Sequence, residues 1–184
     1  MKVELKDWKD NWQTIKDCTM TTISKDKGSY PDSEWKRKLL LCEHSPIRLG
    51  KIVAKFYDLY NFVSVHLVRH HEGFTPYVSS RRSDRGYNNQ VIDRYSPVDM
   101  AFEANFQAII NISRKRLCNC ASKETRDAWT LFLDEVVAHK EPELRKVCVP
   151  DCIYRGHCYE FKSCGYHKTK DFQDKLKEYR EGIN

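Results

Sequence analysis

The run Ile52-Val53-Ala54-Lys55-Phe56-Tyr57-Asp58-Leu59 constrains the fold most. Its density of β-branched and aromatic residues suits a pleated, half-buried surface, and it reads as a strand. Asn61–His70 follows directly. There Val63, His66, Leu67 and His70 recur at the three- to four-residue spacing of a helix, which puts Arg69 and His70 near its end. Phe74–Arg82, with Gly73 before it and Pro76 inside it, predicts a loop running into a short strand. The polar, Asn-rich stretch from Asp84 to Ser96 predicts an exposed loop.

Helices are predicted on both sides of this segment. Pro31-Asp32-Ser33 reads as a helix start, with Trp35, Leu39 and Cys42 on one apolar face, and Ser45-Pro46 closes it. Pro97 suits a first helical turn, and Ala101, Phe102, Asn105, Phe106, Ile109, Ile110 and Ser113 would line one side of a helix ending near Cys118. Ser122 can cap the next helix, with Glu124 in its first turn and Trp129, Phe132, Leu133, Val136 and Val137 turned inward. A charged amphipathic helix over residues 170–180 finishes the chain. The first thirty residues are polar, and Trp8 and Trp12 are expected to pack an N-terminal arm onto the body.

A chain of 184 residues with 40% hydrophobic content can build one real core, with room for a small appendage. Lys and Arg outnumber Asp and Glu by 32 to 26, a net +6 that fits anionic ligands and equally an ordinary basic surface. The N-terminus MKVELKDWKD carries no charged-then-apolar leader, and no run approaches the roughly eighteen apolar residues of a membrane span. The expectation is a cytoplasmic protein without membrane contact, whose eight cysteines stay reduced.

Two basic clusters, Arg69-His70-His71 and Ser79-Ser80-Arg81-Arg82, bracket a loop containing Gly73 and Thr75. Guanidinium forks, hydroxyls and loop amides are phosphate-binding groups, and a histidine beside them can touch a ligand ring or carry a proton. A solvated basic loop has the same composition. Arg114, Arg116 and Arg126 form a third basic set, and Arg126 opposes the dipole of its own helix, which hints at service to a ligand.

These residues resemble the flavin-dependent thymidylate synthases. That family's signature is Arg-His-Arg followed by Ser, Asn-Glu, Ser and Arg at fixed offsets. In RHHEGFTPYVSSR, Arg69, His70, Ser79 and Arg81 fall on signature positions, with His71 in place of the second arginine. Downstream, NFQAIINISRKRLCNCASKETR sets Asn105, Arg116, Ala121, Glu124 and Arg126 at the offsets of a second family motif. CEHSPIR looks like the family's His-x-Ser segment, contributing His44 and Ser45. The resemblance spans roughly residues 35–140.

The resemblance implies a mixed α/β (α+β) domain with helices around a central sheet, assembled as a homotetramer with shared active sites. The organisation it suggests is a synthase-like domain over 1–145 and a Cys-rich segment with a terminal helix over 146–184. By position, Arg69, His70 and His71 would contact FAD, with Arg116 and Arg114. Ser79, Ser80 and Arg81 would hold the nucleotide phosphate, Arg126 the nucleotide, and His44 would stand near the folate entrance. Arg69, His70 and Arg126 would then be the catalytic set. The implied reaction is flavin-dependent methyl transfer, in which NADPH reduces FAD and a one-carbon unit passes from methylenetetrahydrofolate to C5 of dUMP. In such chemistry the protein mainly positions ligands and supplies charge. The departures concern other positions. Pro76-Tyr77 replaces Asn-Glu, Phe74 a serine, His66 a glutamine, Val65 an arginine and Ser122 a glutamine. Phosphate-holding positions are kept, while those that would read the base or tune the flavin are changed. Another pyrimidine nucleotide or another C5 product therefore remains an alternative.

Six of the eight cysteines fall between Cys118 and Cys164. Cys148, Cys152, Cys158 and Cys164, with His157 and His167 nearby, could hold zinc or an iron–sulfur cluster, though not at knuckle spacings. Free buried cysteines are the alternative. A non-catalytic nucleotide- or nucleic-acid-binding protein with a structural metal is the remaining class, but neither recognition-helix nor zinc-finger spacing supports nucleic acid.

Overall fold

The computed structural model describes residues 1–80, 82, 84, 86 and 93–181. Four strands form one antiparallel sheet in the order β1-β2-β4-β3: β1 (Lys2–Trp8), β2 (Lys51–Tyr60), β3 (Phe74–Val78) and β4 (Pro97–Asn105). Helices α1 (Trp12–Thr21) and α2 (Ser33–Leu41) separate β1 from β2, and α3 (Asn61–Val68) separates β2 from β3. After β4 come α4 (Phe106–Arg116), α5 (Lys123–Phe132), a π turn at Leu133–Val137, α6 (Ala138–Lys140), α7 (Pro142–Val147), α8 (Asp151–Arg155) and α9 (Lys170–Glu181). The mixed α/β class is as the resemblance implies. No described helix is long and apolar enough to cross a membrane.

β4 alternates along its length, and β2 does so up to a register shift between Phe56 and Leu59. Ile52, Ala54 and Phe56 face inward opposite Val98, Met100, Phe102 and Ala104, all buried. Phe102 is the hub, with ring centroids 5.0 Å from Phe132 and 5.1 Å from Phe74. Each such buried side chain stabilises the fold by roughly 1.5–3 kcal/mol.

The helix expected from Pro97 is corrected: Pro97–Asn105 is a strand, and the helix begins at Phe106. Asn105 is its N-cap, accepting a hydrogen bond from the Ala108 amide at 2.8 Å. Proline at the first residue of a strand needs no ladder donor, so Pro97 is compatible with either element. The polar N-terminal arm also acquires structure. β1 pairs along β2, and α1 buries Trp12 and Ile15. Both tryptophans anchor on one buried carboxylate. Trp8 Nε1 donates to Glu141 Oε1 at 2.8 Å and Trp12 Nε1 to Oε2 at 2.7 Å. Burial pushes the Glu141 carboxyl above its ordinary range, partly offset by those two donors.

The expected helices at residues 31–42, 61–70 and 170–180 are present as α2, α3 and α9, and Ser122 caps α5 as anticipated. Ile153 of α8 and Phe172, Leu176 and Tyr179 of α9 join the same core cluster as the sheet. The expected loop at 84–96 lies largely outside the described residues.

Candidate functional site

β3 is an edge strand paired antiparallel to β4, with Phe74 opposite Ala104 and Val78 opposite Met100. The loop before β3 therefore meets the start of α4, while residues after β3 meet the start of β4. Asn105 N donates to Gly73 O at 2.9 Å at the first end, and Ser79 N donates to Asp99 O at 2.8 Å at the second. The five residues of β3 hold the two basic clusters roughly 17 Å apart, at about 3.4 Å per residue.

At the first end, Arg116 draws α3 and α4 together. Its Nε donates to His70 Nε2 at 2.9 Å and its guanidinium NH2 to the His66 carbonyl at 2.6 Å. Because His70 Nε2 accepts, this ring is neutral with its proton on Nδ1. Burial first, then the Arg116 and His71 charges, lower the His70 pKa to about 4. Arg116 is itself shifted down by burial and by Arg69. His66 is lowered by burial and by Arg116, Arg69 and Arg94, and its Nδ1 lies 2.9 Å from Thr125 Oγ1, which pairs with the capping Ser122 hydroxyl at 2.7 Å. Arg69 and His71 are exposed beside this cluster, with His71 Nδ1 3.3 Å from the Arg69 carbonyl. Cations outnumber carboxylates here, and an anionic ligand would relieve the mutual repulsion.

A polar cavity of about 530 Å³ lies on another face of α4 from Arg116, walled by Glu43, Arg48, Glu72, Asn105, Gln107 and Asn111. Gln107, Asn111 and Arg114 are spaced i, i+4, i+7 and form a polar stripe along α4. Arg114 is committed there. It pairs with Glu43, donates to Asn111 Oδ1 at 3.2 Å and stacks 3.5 Å over the Tyr154 ring. Two residues along an α-helix is about 200°, so Arg114 and Arg116 point to opposite faces and only Arg116 reaches His70. Glu43, Arg48, Gln107 and Asn111 lie outside the set expected from the sequence; the polar stripe is the signal for the last two, and a helix start at Pro97 obscures it.

Other proposed site residues separate. Arg126 donates to the carbonyls of Asn119 at 3.0 Å and Ala121 at 2.7 Å, tying down the α4–α5 linker. His44 precedes a 3₁₀ turn at Ser45–Leu49, and its Nδ1 is buried without a hydrogen-bond partner among the described residues. At the far end of β3, Ser79 Oγ accepts from the Asp99 amide at 3.1 Å and Ser80 Oγ from the Arg82 amide at 3.3 Å. Arg82 is paired with Asp84, and Arg81 lies outside the described residues. Of the changed signature positions, Phe74 is core, Tyr77 is exposed and Pro76 sits on the sheet edge.

The four-cysteine set is not assembled as spaced in the chain. Among the described residues, no group of three or more His, Cys, Asp or Glu is gathered closely enough to hold a metal ion. Cys148 is buried in the hydrophobic core against Ser113, whereas Cys152, Cys158 and Cys164 line a separate cavity.

Two expected outcomes follow from this geometry. Gly73 has φ of 71°, and an added Cβ would overlap the Asn105 amide. Gly73→Ala should cost about 1–3 kcal/mol in denaturant unfolding, from left-handed strain and a displaced α4 cap. Unchanged stability would remove Gly73 as the pivot of this loop. For His70 the pKa is lower folded than unfolded, so its contribution is full above about pH 6.5 and is lost as pH falls toward about 4. The unfolding midpoint should therefore fall across that window more steeply in wild type than in His70→Asn.

No described protein family matches the sequence, and neither does any curated protein. Solved structures do. A flavin-dependent thymidylate synthase ThyX from Helicobacter pylori, complexed with FAD and dUMP, superposes with a TM-score of 0.64 at 16% identity, covering 81% of this chain and 100% of that one. A second structure of the Helicobacter pylori enzyme with FAD and dUMP gives 0.64 at 15% identity over 80% and 99%. The UMP/dUMP methylase PolB from Streptomyces cacaoi, bound with 5-Br dUMP, gives 0.64 at 13% identity over 79% and 93%. At such identities the likeness establishes one thing: this chain has the fold of the flavin-dependent thymidylate synthases.

Proposed function

We propose that the chain is a flavin-dependent enzyme that modifies C5 of a uridine nucleotide, with dUMP the first substrate to test. The observation that carries this reading is the His70–Arg116 cluster, standing on a fold whose solved examples were determined with FAD and dUMP. The donor set suits a flavin nucleotide. Arg69 and Arg116 offer guanidinium groups to an anionic phosphate bridge, and the neutral His70 offers an imidazole edge without adding charge. The flavin, when bound, would supply the hydride chemistry, with NADPH as reductant and methylenetetrahydrofolate as one-carbon donor. The protein's own part is to hold and align. Arg116 fixes His70, Ser79, Ser80 and Arg81 grip a phosphate, and Arg126 keeps the α4–α5 linker in place beside the nucleotide. The separation of the two ends of β3 requires an extended ligand, or subunits that share sites as a homotetramer would.

A second reading, a different pyrimidine nucleotide or C5 product, is favoured by Phe74, Pro76 and Tyr77, none of which can supply the missing carboxylate. Glu72 and Glu43, which line the polar cavity, are acidic side chains that could take that role.

The test is turnover. Purified protein with NADPH and methylenetetrahydrofolate should oxidise reduced flavin only when a uridine nucleotide is added. Comparison of dUMP with UMP then decides between the readings. Oxidation indifferent to nucleotide, or no flavin bound at all, would defeat both.

A further inference from the structure

Past the C-terminal end of α4 lies a second cavity, of about 350 Å³, whose walls carry Cys118, Cys152, Cys158, Cys164 and His167. The four thiols come from three separate stretches: the end of α4, α8, and the irregular segment joining α8 to α9. That segment has little else to hold it. No residue between Ile153 and Phe172 is buried, and Phe161 is fully exposed. Its path is set by left-handed turns at Gly156 and Gly165, a few local hydrogen bonds, and one anchor, Tyr166, which packs on Phe172 and donates to Asp171. Ordering a stretch of this length with so little buried apolar surface is unfavourable unless a cross-link offsets the lost entropy. The chain returns to this cavity with a cysteine at three successive points, Cys152, Cys158 and Cys164.

Three local contacts order the rim of this cavity. The Cys120 amide is directed at Cys118 Sγ at 3.4 Å, a donor aimed at sulfur. Cys120 Sγ in turn contacts the Lys162 carbonyl at 3.5 Å, which ties the end of α4 to the irregular segment. His167 is oriented by Ser163, its Nδ1 3.2 Å from Oγ.

We propose that this cavity binds a thiophilic divalent cation, zinc being the probe, with Cys118, Cys152, Cys158 and Cys164 as its ligands. Four thiolates satisfy tetrahedral zinc. The set differs from the one suggested by spacing along the chain, because Cys148 belongs to the core and Cys118 takes its place. The side chains as they stand are not at ligating separation, so binding must draw in Cys158 and Cys164, which sit on the least restrained wall. The inference does not depend on the flavin reading.

Full-length protein, stripped with chelator, re-equilibrated with zinc and passed through gel filtration, should retain one zinc per chain by elemental analysis. Cobalt substitution should give the intense near-ultraviolet sulfur-to-cobalt charge-transfer absorption of several thiolates. The double variant C158S/C164S should lose the ion and Cys148→Ala should keep it. No retained zinc and no charge-transfer band in wild type would overturn the site. So would retention by the double variant, or loss from a folded Cys148→Ala protein. The cobalt spectrum needs only the wild type, so a variant that fails to fold leaves the test intact.

Discussion

Arg116→Ala should lower unfolding free energy by about 2–4 kcal/mol and weaken flavin binding at least tenfold. The guanidinium is half-buried and makes two charge-assisted contacts, to His70 Nε2 and the His66 carbonyl. Such bonds are worth about 1.5–3 kcal/mol each, less some relief of repulsion with Arg69. The variant leaves the His66 carbonyl short of a donor and frees the His70 ring to turn. Arg116→Lys separates charge from geometry. Lysine keeps the positive charge but cannot bridge both acceptors with a planar fork, so it should recover part of the stability and little of the flavin affinity. If lysine restores both fully, Arg116 acts only as a charge.

Glu141→Ala should be comparably damaging, by about 2–5 kcal/mol, and for a purely structural reason. Two indole N–H groups, from Trp8 and Trp12, converge on this one buried carboxylate. Removing it strands both donors, each costing about 1–3 kcal/mol, and opens a void in the wall that Trp12 fills. β1 and α1 should loosen first, since Trp8 and Trp12 are their anchors. Hydrogen exchange along β1 checks this directly: faster exchange confined to β1 and α1 is the expected pattern, and uniform acceleration would argue against a local anchor. Glu141's hydrogen-bond partners are Trp8 and Trp12, neither of which belongs to the His70–Arg116 cluster, so flavin affinity of the folded fraction should be retained.

The two predictions mark how far the sequence could be read. β2 was legible because its alternation and its β-branched and aromatic content agree. α3, α5 and α9 were legible because capping and periodicity agree, as at Ser122. β4 was misread because Ala101, Phe102, Asn105 and Phe106 fit a helical face as well as Val98, Met100, Phe102 and Ala104 fit a strand face, and Pro97 suits the start of either. Asn105 was the deciding residue. As an N-cap it ends the strand and begins the helix, and it also pins Gly73 at the site. β1 went unseen because its solvent-facing lysines and acids mask a strand that exists by pairing with β2. Within the candidate site, local motifs identified His70 and Arg116 but not their contact, since a sequence separation of 46 is closed by tertiary structure alone. Nor could they show that Arg114 faces away, which requires the helix phase, or that β3 separates the two basic clusters. Linear spacing likewise grouped Cys148 with cysteines that the fold places in another cavity.

The most direct test of the central claim is an FAD titration of wild type and Arg116→Ala, with and without dUMP, at a temperature where both are folded. Saturable flavin binding by wild type, strengthened by dUMP and lost or weakened at least tenfold in the variant, is the predicted result. Wild-type protein that binds no flavin, or a variant that binds it as well as wild type, would contradict the assignment of the His70–Arg116 cluster as the flavin site.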